Sequence, residues 1–313
     1  MVDYNPKDWF RFITAYNRAD TLRQLSLALL AIGFYSFLIV FLILHVFKLN
    51  DTSPLRHITV MHTLLGFVIS MLLVFRTNSA YDRWWEGRRL WGSLVNNSRN
   101  MALKVNQLLN DNHVEQRQFF QAMIPNFAFA MKNHLRERSL PQEFMDSDTF
   151  RFADLYPDNH IPNQIASAIF GRVAALQRQG ILLPEHLLVL NPELLSLMEI
   201  CGACERIKNT PIPFSYSTFI KKFVFMFCVT LPFGYAFTLG FLAIPVVMFV
   251  FYVLASLEII AEEIENPFGE DANDLPLENI CTTIKKTVVQ AFDQQYMFGS
   301  LPTQTAQNKT AGL

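Results

Sequence analysis

Residues 25–47 carry no Asp, Glu, Lys or Arg. Such a run covers the roughly 20 residues that a helix needs to cross the hydrocarbon core of a bilayer. In that core the backbone finds no water to bond, so the segment has to satisfy its own N–H and C=O groups, as an α-helix does. Three further apolar stretches occupy 58–75, 214–237 and 241–257, and the pattern predicts four membrane crossings. The second stretch holds Thr59, His62, Thr63 and Ser70, which suit a helix facing other helices or water better than one facing lipid. Pro232 and Pro245 predict kinks in the last two.

At 51% hydrophobic, with 29 Phe in 313 residues, the chain is too apolar for an ordinary soluble protein, while its 17% charged residues are too many for a purely intramembrane one. Residues 76–213 read as a water-exposed helical body, with amphipathic stretches at 90–109 and 115–135 and polar loops around 147–162. The expected fold is therefore an all-α integral membrane protein, its four transmembrane helices continuous with a helical bundle. Its parts are a lead-in at 1–24, membrane helices 1 and 2 at 25–75, the helical domain at 76–213 and membrane helices 3 and 4 at 214–262. An acidic turn, a C-terminal helix and a polar tail at 263–313 complete one structural unit. The lead-in holds acids and aromatics and does not read as a cleavable signal. Lys and Arg are dense in the lead-in, in 76–208 and at 285–286, and sparse or absent in the turns at 49–57 and 238–240. By the positive-inside rule both termini and the helical body are expected in the cytoplasm.

Several function classes drop out. No basic tract or basic, aromatic-rich patch points to nucleic acid. No metalloprotease, nucleophile-elbow, P-loop or dinucleotide motif points to an enzyme, and the composition calls for no cofactor. Cys201 and Cys204 have CxxC spacing, but no second ligand pair accompanies them, so small helix-packing residues are the expected reading. His62 lies inside a membrane helix, where an ionisable group is a functional candidate, the alternative being that beside Thr63 it simply hydrogen-bonds a neighbouring helix.

The stretch LLVFRTNSAYDRWWEGRRLWG at 72–92 runs from the membrane into charge with no Pro and no loop composition at the border, so one helix is expected to continue through it. At 100° per residue, Phe67, Met71 and Phe75 form one stripe, and the same stripe continues through Ser79, Asp82 and Glu86. Its face is apolar inside the membrane and anionic below it. Arg76 and Arg83 point elsewhere and are expected to pair with neighbouring subunits or lipid headgroups, the alternative being that they make the potential positive.

The run FRTNSAYDRWWEGRRLWG at 75–92 resembles the signature of the bestrophin family, particularly its bacterial members. CERIKNTPIPFSY at 204–216 and IENPFGEDANDLP at 264–276 resemble two further motifs of that family, in the same order. The resemblance implies a homopentameric ion channel in a bacterial inner membrane, in contact with lipid, with a pore-lining helix at 57–75 and a cytoplasmic vestibule. It implies a hydrophobic neck at Phe67, Met71 and Phe75, which admits monovalent ions only when wide enough to stay wet. Charge at Asp82 and Glu86 is then expected to favour cations such as sodium, in keeping with the likeness to bacterial members, which are known for cation conduction where animal members conduct chloride. The alternatives are a chloride or other anion channel of the same family and, less favoured, a secondary transporter. A second constriction of the family maps near His186.

In animal bestrophins the third motif clasps calcium. The matching positions here are the carboxylates of Asp271 and Asp274 and backbone carbonyls near Glu263 and Asn266. Ala272 and Asn273 interrupt the acidic run. Calcium affinity rises with ligand charge, so the expectation is a structural turn without the metal, capped by Asp274, with Pro276 in the first turn of the next helix.

Overall fold

The computed structural model describes residues 21–49, 53–110, 112–138, 140–147, 150–157 and 159–293; most of the expected lead-in and the polar tail lie outside them. Among the described residues the long elements are all helical, and the extended pairing is a single bridge between Ser147 and Phe150. In chain order the helices are α1 Thr21–Phe41, α2 Ile58–Leu108, α3 Val114–Leu135, α4 Ile161–Arg178, α5 Pro184–Asn209, α6 Phe214–Leu239, α7 Ala243–Glu265 and α8 Leu277–Asp293. A wider turn of helix, Leu42–Val46, extends α1. The expectation of one continuous helix is met by α2, whose 51 residues run from the apolar stretch through the charged one.

Two compact units divide the chain, one of Met1–Gly92 with Gly202–Leu277 and the other of Ser93–Cys201 with Glu278–Leu313. In the first, α1 packs on α7 and α6, and α6 on α7. Ile69 and Leu73 of α2 join Ile220, Val224, Phe227 and Leu231 of α6 and Val247 and Leu254 of α7 in its core. Many apolar side chains face outward, among them Leu27, Leu30 and Phe34 of α1 and Phe249 of α7. That inversion suits helices whose solvent is lipid rather than water.

The stretches long and apolar enough to span a membrane are Thr21–Val46, Ile58–Leu108, Pro184–Asn209 and Phe214–Glu265. The last is two helices, because Gly240 at φ +56° ends α6 and reverses the chain into α7. Gly takes this left-handed conformation without the steric cost that a Cβ would bring. Pro184–Asn209, α5, has the length but buries Glu193 against Lys104, with Nζ 2.8 Å from Oε1, as a water-facing bundle does. The crossings are thus α1, the first part of α2, α6 and α7. Pro232 lies inside α6, as expected, whereas Pro245 is in the first turn of α7. A first-turn N–H has no helical partner to lose, so Pro245 starts its helix rather than kinking it.

In the second unit α3 is buried almost throughout, from Phe119 to Leu135, and packs on α4. Its Lys132 is fully buried and donates to Glu143 Oε1 at 2.6 Å and to Glu278 Oε2, at the start of α8, at 2.7 Å. Arg136 and Asn133 donate to the remaining oxygens of the same two carboxylates. A buried ammonium survives because each charge in this set has a partner.

Candidate functional site

The packed side of α2 in the first unit is Ile69, Leu73, Arg76 and Ala80, all close to fully buried. Phe67, Met71 and Phe75 lie on the roughly opposite side of the helix and are 73%, 50% and 52% exposed. Packing within the chain therefore fixes the azimuth of α2 and turns the apolar stripe outward. His62, on the packed side, has Nδ1 2.8 Å from Ile58 O and Nε2 3.0 Å from Thr230 Oγ1 of α6, with the Phe227 ring edge-on at 5.3 Å. That is the inter-helix hydrogen bond of the alternative reading.

Arg76 and Arg83 depart from expectation: both find partners inside their own chain. Arg76 is 1% exposed, with Nη2 2.7 Å from Glu265 Oε2 and Nε 3.6 Å from Glu258 Oε1. Arg83 donates through Nε to Glu265 O at 3.0 Å and through its two terminal nitrogens to Thr210 O and Ile207 O, both at 2.5 Å. These carbonyls end α7 and α5, so one guanidinium caps two helix C-termini, where unpaired C=O groups and the negative end of the helix dipole favour a cation. Burial pushes the Arg83 guanidinium down from its ordinary value, and the Glu265 carboxylate opposes that shift. Sequence wheels place a residue on a face but do not say whether the face is covered, which is why these contacts were missed.

The two expected vestibule carboxylates differ. Asp82 is exposed. Glu86 Oε1 accepts from Arg206 Nη2 at 2.5 Å, so its charge is half of an ion pair. Sequence reasoning passed over Arg206, which is 120 residues away. It also passed over Arg89, which is exposed and follows Met71 by 18 residues, five turns at 3.6 residues each, and so returns to the line of the stripe.

In the second unit, His186 sits in the first turn of α5 and its Nδ1 accepts from Leu183 N–H at 3.2 Å. The ring is half-buried and satisfies one of the donors that a helix start leaves open. The adjacent Leu188 is 76% exposed. Cys201 and Cys204 are buried, as are Cys228 and Cys281. Burial pushes the Cys281 thiol upward.

The acidic turn closes on itself. Asp274, 2% exposed, accepts through Oδ2 from Asp271 N–H at 2.7 Å and so caps the turn behind it. Pro276 precedes α8, which starts at Leu277. Gly269 leaves room for the Asp274 carboxylate, which a Cβ there would meet at 2.6 Å from Oδ2. Glu263 Oε2 accepts from Asn273 Nδ2 at 2.6 Å, and its Oε1 accepts from Gln24 Nε2 at 3.0 Å. Trp84 Nε1 of α2 donates to Asn273 O at 3.0 Å. Gly87, one turn on, lets Phe268 and Pro267 lie against α2, because a Cβ would stand 3.1 Å from each. Of the two carboxylates that match a calcium clasp, that of Asp271 is exposed and that of Asp274 is buried.

Comparison with known proteins places these features in a wider group. The family model described as bacterial/fungal bestrophin protein matches residues 1–290. A voltage-dependent anion channel-forming protein of Nostoc sp. is 40% identical over 228 residues, covering 71% of this chain and 74% of that one. The voltage-dependent anion channel-forming protein YneE of Escherichia coli K12 is 31% identical over 298 residues, covering 94% and 95%. Among solved structures, that of a bacterial bestrophin homologue from Klebsiella pneumoniae superposes with a TM-score of 0.73 at 26% identity, covering 86% of this chain and 98% of that one.

Proposed function

The chain belongs to the bacterial and fungal bestrophin family, and from that membership we propose that it assembles as a homopentamer around a central pore and conducts monovalent anions such as chloride across a bacterial inner membrane. The observation that carries the reading is the outward apolar stripe. Phe67, Met71 and Phe75 are large, at least half exposed and opposite the packed side of α2. The same line continues below the membrane into Asp82 and Arg89, which lipid does not solvate and water does. Five copies of the stripe make a dry neck opening into a wet, charged vestibule. An ion finds no hydrogen-bonding replacement for its hydration shell in such a neck and passes when the neck is wetted. Both termini and the helical domain at 76–213 are taken to be cytoplasmic, with His186 at the exit and lipid around α1, α6 and α7.

The cation expectation rested on Asp82 and Glu86 and on the likeness to bacterial members, and anions now replace it for two reasons. Glu86 is neutralised by Arg206, and Arg89 adds a cation to the line that Asp82 occupies. Independently, the relatives from Nostoc and Escherichia coli carry the name of anion channel-forming proteins. Purified protein in a planar bilayer under asymmetric NaCl tests the reading. Unitary currents reversing near the chloride equilibrium potential support it, and reversal near the sodium value overturns the anion assignment. Transport without unitary currents overturns the channel itself.

A further inference from the structure

We propose that Asn273 is a positioning residue whose side-chain amide takes the role of a bound cation, latching the turn at 266–276 to α2 without metal. The inference rests on the channel reading only where it speaks of gating. Its physical basis lies in the carboxylate of Glu263. Both of its oxygens accept from neutral amides, Oε2 from Asn273 at 2.6 Å and Oε1 from Gln24 at 3.0 Å. A carboxylate placed at 273 would face Glu263 with no proton to share, and the two would repel unless a cation stood between them. Asn keeps the shape of Asp and supplies the missing donor.

The consequence reaches α2 through the other end of the same residue. The carbonyl of Asn273 accepts from Trp84 Nε1, Phe268 and Pro267 fill the space above Gly87, and Arg83 holds the carbonyl of Glu265 just before the turn. Trp84 and Gly87 follow Phe75 by two and a half to three and a half turns on one unbroken helix. A turn held by Asn273 therefore fixes the rotation of α2 below the neck at all calcium concentrations. Where a relative uses carboxylates instead, the same latch needs an ion.

The test is a three-variant thermal unfolding series on detergent-purified full-length protein in EGTA and in millimolar CaCl2. Wild type is expected to unfold at one midpoint in both conditions. Asn273→Asp is expected to lose several degrees in EGTA and to regain most of the loss with calcium, since an ion that binds only the folded form stabilises it by mass action. Asn273→Ala, which removes the amide without adding charge, is expected to lose stability in both conditions equally. A wild-type midpoint that rises with calcium overturns the proposal, because the turn then accepts the metal. Asn273→Asp as stable as wild type in EGTA also overturns it, and so does a destabilised Asn273→Asp that calcium does not restore. In bilayers, the open probability of Asn273→Asp should depend on cytoplasmic calcium while that of wild type should not. Calcium-insensitive opening of Asn273→Asp, with the unfolding series as expected, overturns the link from the turn to gating, whereas absence of unitary currents from wild type overturns the channel reading and leaves the latch standing.

Discussion

The guanidinium of Arg76 lies 2.7 Å from the carboxylate of Glu265, with both side chains largely withdrawn from solvent. Arg76 directly follows Phe75, so the outward stripe ends one residue from an inward anchor that ties α2 to α7. Removing one partner of a buried ion pair leaves the other charge desolvated and alone, at a cost of about 3–5 kcal/mol. Arg76→Ala is expected to lower the unfolding midpoint of the purified protein markedly, whereas Arg76→Met with both Glu258→Gln and Glu265→Gln should recover much of the loss, since Arg76 faces both carboxyls. Equal stability of Arg76→Ala and wild type would show that the pair contributes nothing.

Ala substitution of Phe67, Met71 and Phe75 together removes large side chains that are at least half exposed in the single chain. Folding should be little affected, because the lost side chains are exposed in the single chain. Unitary conductance should rise as the neck widens and stays wet, with the reversal potential under asymmetric NaCl nearly unchanged. Wild-type conductance from an assembled triple variant would place the neck on other residues.

The Glu86–Arg206 pair gives a signed prediction. Glu86→Gln leaves Arg206 uncompensated and should move the reversal potential further toward that of chloride. Arg206→Gln frees Glu86 and should move it toward sodium, and Asp82→Asn should act in the same sense as Glu86→Gln. All three shifts should shrink in 1 M salt, where the Debye length is about 3 Å. Shifts of the opposite sign, or shifts insensitive to salt, would separate these side chains from the ion path.

All four cysteines are buried and none forms a disulfide, and burial raises the Cys281 thiol, so its nucleophilic thiolate is scarce at neutral pH. Native protein should react with no equivalent of a thiol reagent such as dithionitrobenzoate, and denatured protein with four. Rapid modification of one or two thiols in the native state would mark the Cys201–Cys204 pair as accessible chemistry rather than packing.

What could be read in advance was what the chain states locally. Residues 25–47 announce a membrane helix because the bilayer imposes its demand on consecutive residues, and the stripe of Phe67, Met71 and Phe75 follows from the period of a helix that no Pro interrupts. The partners were illegible for the opposite reason. Glu86 meets Arg206 across 120 residues and Trp84 meets Asn273 across 189. Neither pairing leaves a periodic trace, and both reverse the meaning of a residue that had been assigned alone. Glu86 looked like free charge, and Asn273 looked like a missing ligand.

The unbroken course of α2 carries an evolutionary corollary. One residue inserted between Phe75 and Asp82 would swing every later side chain by about 100° around the axis, sending Asp82 and Arg89 off the line of the neck and tearing Trp84 and Gly87 from their turn. Insertions and deletions in this segment are thus filtered by phase. Change of length is confined to near-multiples of a helical turn, such as seven or eleven residues.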